Sequence, residues 1–377
     1  MEKIKTNQSR ATTSNSTNGN ENYDMVVFCH LRWEFVYQRP QHIISRLAKS
    51  LKILLIEEPI PFEPGDENTG NLIRIHSNLH VLQPRTTSIG AIKNILPQFV
   101  KNRDISVGWF YSPSFVCVLP EFNFGTIVYD CMDELTLFKG APAQLIEQEK
   151  FLLAYADIVF TGGKSLYESK AKLHDNVHCF PSSVDQEHFA KALNGVAIPE
   201  DIASIPSPIV GYFGVIDERI DLELLDETAK LNPKVSFVMI GPLAKIGDED
   251  LPRRSNIHYL GMKSYEVLPN YLKAFSIAMM PFALNDATKF ISPTKTLEYI
   301  AAGKPVISTA VKDVVRDYSH CVPIVSSATE FTKAIDDILT NTDSVSLEAD
   351  YREILNRTSW NSTVNQMSAI ISKTVQQ

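Results

Sequence analysis

Beyond a polar opening, the sequence alternates short runs of β-branched, aliphatic and aromatic residues with stretches in which apolar positions recur every three or four residues. The runs lie at 25–30, 52–57, 80–83, 106–111, 126–130, 157–161 and 177–180, and again at 209–214, 235–241, 257–261, 276–281, 305–309 and 322–325. Uninterrupted apolar runs of this length suit strands covered by helices on both faces, whereas a sheet with one wet face would alternate apolar and polar residues. The reading is therefore α/β, with two doubly wound parallel sheets. Between them the Gly, Pro and Ser of 191–208 break the period and mark a linker. Residues 1–22 carry few apolar side chains to offset their ordering entropy and are expected to form a disordered tail. The expected division is a tail over 1–22, a first domain over 23–190, the linker 191–208, a second domain over 209–355 and a C-terminal helical segment over 356–377. Ligands of open parallel sheets bind beyond the carboxyl ends of the strands, so two sheets in tandem place function in a cleft between them.

A length of 377 residues is enough for two domains with a core each. Asp and Glu number 44 against 36 Lys and Arg, a formal net charge of −8, which argues against a nucleic-acid binder and requires any anionic ligand to be held by local charge. Cys29, Cys117, Cys131, Cys179 and Cys321 form no CxxC pair and read as reduced thiols in apolar surroundings, in keeping with a cytoplasmic location. No apolar run reaches the roughly 20 residues of a membrane span, which leaves peripheral contact as the membrane option. "TGGKS" at 161–165 has Ile158 where a phosphate loop needs glycine, and reads as a strand-to-helix turn. His76 with His80, and His174 with His178 and Cys179, lack a further ligand set, so no metal site is expected.

The stretch "SPTKTLEYIAAGKPVIST", 292–309, carries the most chemistry. Ser292 suits an N-cap, Pro293 the first helical position and Gly303 the C-terminal left-handed position, giving a helix over about 293–302. Leu297, Ile300 and Ala301 share one face, and Thr294, Lys295 and Glu298 the other. A lysine in the first turn opposes the macrodipole at a cost of about 0.3–1 kcal/mol. An anionic ligand reverses that penalty: free N–H groups, dipole and ammonium together suit phosphate, and Glu298, one turn deeper, suits a ribose diol. A solvated Lys–Glu pair on a surface helix is the plainer alternative.

With Pro293, Lys295, Glu298, Tyr299, Ala301, Gly303, Lys304, Pro305 and Val306, this stretch resembles the P-x-K-x-x-E-Y-x-A-x-G-K-P-V signature of the bacterial retaining glycosyltransferases of GT-B fold. The likeness extends over nearly all of 25–375, including "RWEFVYQRPQHIISRLAK" (32–49), "PSSVDQEHF" (181–189) and "IVGYFGVIDERIDLELL" (209–225). It implies two Rossmann-like domains, the first on the acceptor side and the second holding a nucleoside diphosphate sugar, with the C-terminal helix crossing back to the first. It implies transfer of a sugar to a carbohydrate or lipid-linked acceptor, as a step of surface polysaccharide or glycolipid synthesis, with retention and with neither metal nor cofactor. In that family the lysine binds diphosphate and the glutamate ribose, with Pro293 and Thr294 beside them. An acidic residue often stands eight positions before the glutamate, where this chain has Phe290. The nearby "NDAT" turn offers Asn285, Asp286 and Thr288 as donor-side groups, Asp286 as the catalytic candidate. A GT-B epimerase and a catalytically silent nucleotide-sugar binder are the rival readings.

Other candidates sit at strand ends, where such sheets meet ligands. Arg32 and Arg39 suit a phosphate or an anionic acceptor, and Trp33 a sugar face. Asp130 and Asp133 follow a strand, and Asp133 is the preferred base. Gly214 and Gly241, the latter before Pro242, let backbone approach the donor, and Arg219 could add a second positive charge.

Overall fold

The computed structural model describes residues 20–63, 65–340 and 344–375, so the expected tail falls outside the described residues over 1–19, as do 376–377. Two sheets organise the chain. The front lobe holds β1 (Met25–Cys29), β2 (Ile53–Glu57), β3 (Thr69–His76), β4 (Leu79–Arg85), β5 (Asp104–Phe110), β6 (Asn123–Cys131), β7 (Ile158–Thr161) and β8 (Val177–Cys179), in the order β3-β4-β2-β1-β5-β6-β7-β8. The rear lobe holds β9 (Ile209–Phe213), β10 (Ser236–Ile240), β11 (Ile257–Gly261), β12 (Ile277–Met280), β13 (Val306–Thr309) and β14 (Ile324–Val325), in the order β11-β10-β9-β12-β13-β14. All pairings are parallel except β3 with β4.

Central β1 shows why its run is continuously apolar. Val26 and Phe28 enter one core cluster, Met25, Val27 and Cys29 another, and all five residues are buried. A strand covered on both faces has no position for a polar side chain. The strand that periodicity did not reveal is β3, an antiparallel edge with mostly exposed side chains; its sequence, TGNLIRIH, lacks the buried face that makes a strand legible.

Two expected boundaries move. Glu21, assigned to the tail, bridges Val100 and forms ion pairs with Lys52 and Arg74. Val184, Phe189, Ala192 and Ile202 pack into the rear-lobe core, so the first domain gives way before 190 and the linker is not a free connector. The linker even contains a short helix, Glu200–Ala203. From the rear lobe the closing helix, Trp360–Val375, returns to the front lobe, where Trp360, Val364, Met367 and Ile371 join the cluster containing Met25 and Ile43. Trp360 stacks on His42 with ring centroids 4.7 Å apart.

The lobes also meet through side chains. At the TGGKS turn, the Ser165 backbone N–H and hydroxyl donate to Asp313 of the rear lobe, the N–H at 3.1 Å, while Lys312 and Arg316 pair with Glu168, each at 2.8 Å. A Cβ on Gly163 would sit 2.7 Å from Ser292 Cβ, so this glycine is set by the close approach of the lobes.

Candidate active site

The helix carrying Lys295 and Glu298 spans Thr294–Ala301, with its amino end at the gap between the lobes. Its N-cap is Pro293 rather than Ser292, and no side chain caps it, which leaves the first-turn N–H groups unclaimed by side chains. Gly303 ends it with φ +65°, the left-handed turn expected of it. Leu297, Ile300 and Ala301 are buried against the sheet, and Thr296 and Tyr299 are buried as well. The Tyr299 hydroxyl oxygen accepts the Phe213 N–H at 3.1 Å, locking the helix to the end of β9.

A cavity of about 120 Å³ opens at this helix end, lined by Pro293, Thr294, Lys295 and Glu298 from the rear lobe and by Gln38 and Asp133 from the front. Among the described residues neither the Lys295 ammonium nor the Glu298 carboxylate has a hydrogen-bond or ion-pair partner. Burial lowers the pKa of Lys295, Glu298 partly opposing and Arg219 reinforcing the shift. Burial raises Glu298 to about 7, against the attraction of Lys295. Both groups line the cavity, Lys295 partly buried and Glu298 buried, and a ligand bearing phosphate and hydroxyl groups would satisfy both.

Glycine geometry makes room for the lysine. Gly214 and Gly241 have φ of +141° and +153°, and a Cβ on Gly241 would lie 1.8 Å from the Gly214 carbonyl oxygen. Pro242 follows, its carbonyl accepting the Ile216 N–H at 3.0 Å to fix the loop. Arg219 is held as a fork by Asp217, at 2.9 and 2.7 Å, and packs on the Phe138 ring of the front lobe. Burial opposes its charge, but Asp217 more than compensates and keeps the pKa above the ordinary value.

Asp133 reaches the same place from the front lobe. It lines the small cavity and also a larger one of about 760 Å³, which includes Leu31, Phe35 and Phe138. Burial raises its pKa, with Arg219 and Arg39 opposing and Asp217 adding to the rise. Gln38, Val215 and Arg219 likewise touch both cavities, so the two adjoin. Tyr37 and Tyr265 stack across the lobes at 4.5 Å, with His188 on the far side of Tyr265 at 4.3 Å.

Several expected site residues are engaged elsewhere. Arg39 lines the small cavity but forms a buried fork with Asp130, 2.8 Å at the closest, and donates to the Phe180 carbonyl; neither charge is free for a ligand. Arg32 pairs with Glu57 at 3.1 Å and donates to the Glu58 and Pro59 carbonyls, while the Trp33 N–H donates to Glu57 at 2.7 Å. Arg32 and Trp33 thus shape the loop after β1 and line neither cavity, because a buried carboxylate lies closer than the cleft. Asn285 and Thr288 form a reciprocal cap, Thr288 also donating to the Ala283 carbonyl at 2.5 Å, and Asp286 is exposed and lines neither cavity. Phe290 instead packs against the front-lobe core. His30 and Tyr265, which sequence did not single out, carry buried polar atoms without partners among the described residues.

Two facing doubly wound lobes with a cleft between them and a closing helix that crosses back define the GT-B fold. Residues 207–341, most of the rear lobe, match the family model for glycosyl transferases group 1. The chain is 24% identical over 221 residues to the putative teichuronic acid biosynthesis glycosyltransferase TuaH of Bacillus subtilis, a match covering 53% of this chain and 54% of that protein. The chain thus spans about half the length of the curated relative it matches. Sucrose-phosphate synthase from Thermosynechococcus elongatus superposes with a TM-score of 0.69 at 15% identity, covering 93% of this chain and 98% of that one. HepE of Anabaena, in complex with UDP and glucose, gives 0.66 at 12% identity, over 93% and 100%.

Proposed function

We propose that this protein is a glycosyltransferase that takes a sugar from a nucleoside diphosphate donor and passes it to a carbohydrate or lipid-linked acceptor, with retention and without a metal ion. The observation that carries the reading is the unpartnered Lys295 and Glu298 on one wall of the cleft, beside an uncapped helix end. Lys295 and the first-turn N–H groups receive the diphosphate, and Glu298 receives the ribose hydroxyls. The backbone at Gly214 and Gly241 gives the diphosphate a close approach, and Arg219, fixed by Asp217, supplies a second positive charge that offsets the leaving group. Asp133 lines both cavities, and in this reading it acts beside the transferring sugar. The acceptor occupies the larger cavity. In a retaining transfer the bond from anomeric carbon to phosphate breaks on the face where the acceptor oxygen bonds, and the acceptor proton passes to the released phosphate. The matched relative's name, a putative teichuronic acid biosynthesis glycosyltransferase, supports a role in polysaccharide synthesis. Among the described residues no helix is long and apolar enough to cross a membrane.

Thermal-shift measurements with UDP-, GDP- and dTDP-sugars test the donor site, since a ligand at a hundred times its Kd stabilises the folded state by about 2.7 kcal/mol. Lys295→Ala should abolish the shift, and an unchanged response would overturn the site. The exposed Asp286 and the apolar Phe290 favour one second reading, a binder without transfer. Donor binding with neither hydrolysis nor transfer across a broad acceptor panel would select it.

A further inference from the structure

The larger cavity is walled by apolar side chains from the front lobe, among them Leu31, Phe35, Ile89, Leu135 and Phe138. Its volume of about 760 Å³ is in the range of sites that enclose most of an organic ligand. Into this wall the end of β1 delivers one imidazole. His30 follows Cys29, the last residue of the strand, and lines the cavity. Its Nδ1 is buried with no protein partner among the described residues. Burial lowers its pKa to about 4, so the ring is neutral near pH 7. A neutral imidazole accepts a hydrogen bond at one nitrogen and donates from the other, which matches a sugar hydroxyl without burying a full charge. Glu58, at the end of the neighbouring strand β2, lines the same cavity, with its carboxyl pKa raised by burial. Nothing in the donor site uses either group.

We infer that His30 is an acceptor-binding residue, hydrogen-bonded to a hydroxyl of a glycoside whose apolar aglycone lies along Leu31, Phe35, Ile89, Leu135 and Phe138. The inference rests on the donor reading, because the cavities adjoin at Gln38, Asp133 and Arg219, which places a hydroxyl held in the larger one beside the donor sugar of that reading. A neutral reader among apolar walls suits an uncharged sugar on a greasy carrier. Such walls gain little from a free, fully hydrated sugar, whereas the CH₂ groups of an aglycone gain by leaving water.

The test is transfer from UDP-glucose, UDP-galactose, UDP-N-acetylglucosamine and GDP-mannose to octyl hexosides below their micelle concentration and to the matching free hexoses, followed by mass spectrometry. UDP thermal shifts are recorded in parallel. The wild type should glycosylate at least one octyl glycoside with a kcat/KM at least tenfold above that for the free sugar. His30→Ala should lower that kcat/KM about a hundredfold with the UDP shift unchanged, and His30→Asn, which keeps a donor and an acceptor, should recover part of it. His30→Ala transferring like the wild type overturns the inference, as does equal use of the free sugar, or no octyl glycoside used by a wild type that still binds UDP. Absence of any nucleotide shift in the wild type would fell the donor reading instead, and this inference with it.

Discussion

Lys295 occupies the space that a side chain at Gly214 would need: a Cβ there would sit 2.1 Å from the lysine Cε and 2.7 Å from its Nζ. The glycine and the lysine, far apart in sequence, therefore form one device. The left-handed backbone at 214 lets the ammonium lie across it, above the Tyr212 ring, and stay in the cleft.

Gly214→Ala is expected to displace Lys295 and to add backbone strain of about 1–3 kcal/mol, so the protein should fold with a lower Tm and lose its nucleotide-induced shift. Gly241→Ala should be worse for stability, because its Cβ meets a carbonyl oxygen 1.8 Å away rather than a flexible side chain. Melting curves with and without UDP separate the two, and a normal shift in Gly214→Ala would count against the device.

Glu298 predicts a trade between stability and binding. Its folded pKa of about 7 exceeds the ordinary 4.5, so its contribution to stability is complete below pH 4.5 and is lost as the pH rises through 7. That difference corresponds to about 3 kcal/mol. Glu298→Gln should therefore be more stable than the wild type at pH 8, by up to that amount, with the gain vanishing near pH 4.5, and should bind nucleotide more weakly. Denaturant unfolding at both pH values checks it; no gain at pH 8 refutes it.

Arg39 and Asp130 are 3% and 0% exposed in their side chains, so removing either leaves an uncompensated buried charge. Asp130→Asn and Arg39→Ala should each cost about 3–5 kcal/mol in urea unfolding. A variant of normal stability that lost only nucleotide affinity would restore Arg39 to the role of free phosphate ligand.

Cys117, exposed and on the wall of the larger cavity, is the exception to the expectation of apolar surroundings for every thiol; Cys29, Cys131 and Cys321 are buried. Its pKa is raised by partial desolvation, so maleimide labelling should be slow at pH 7 and quicken as the pH rises. Labelling at Cys117 should block transfer while leaving the UDP shift intact, and Cys117→Ala should be protected. Loss of the UDP shift on labelling would place the nucleotide in the larger cavity.

What could be read in the sequence was whatever is local. The buried strands announce themselves as apolar runs, and Lys295 and Glu298 sit together because a single helix turn separates them. Contacts set by the tertiary fold left no such trace. Arg39 finds Asp130 across 91 positions, and Arg32 finds Glu57 across 25; periodicity reports neither, so both arginines looked free. The reciprocal bonds between Asn285 and Thr288 close within four residues, and the polar composition of the turn resembles that of a binding loop. His30 follows an apolar strand, and only the assembled cavity shows that its Nδ1 lacks a protein partner.

The return of Trp360–Val375 to the front lobe means that the polypeptide joins the two halves twice, once on the way out and once on the way back. A hinge with two leaves of chain resists sliding and shearing and leaves rotation about their common line as the easy motion. Separating the halves into independent pieces would strip Trp360 from His42 and bare the apolar face beneath it, so the rear half is not a detachable module.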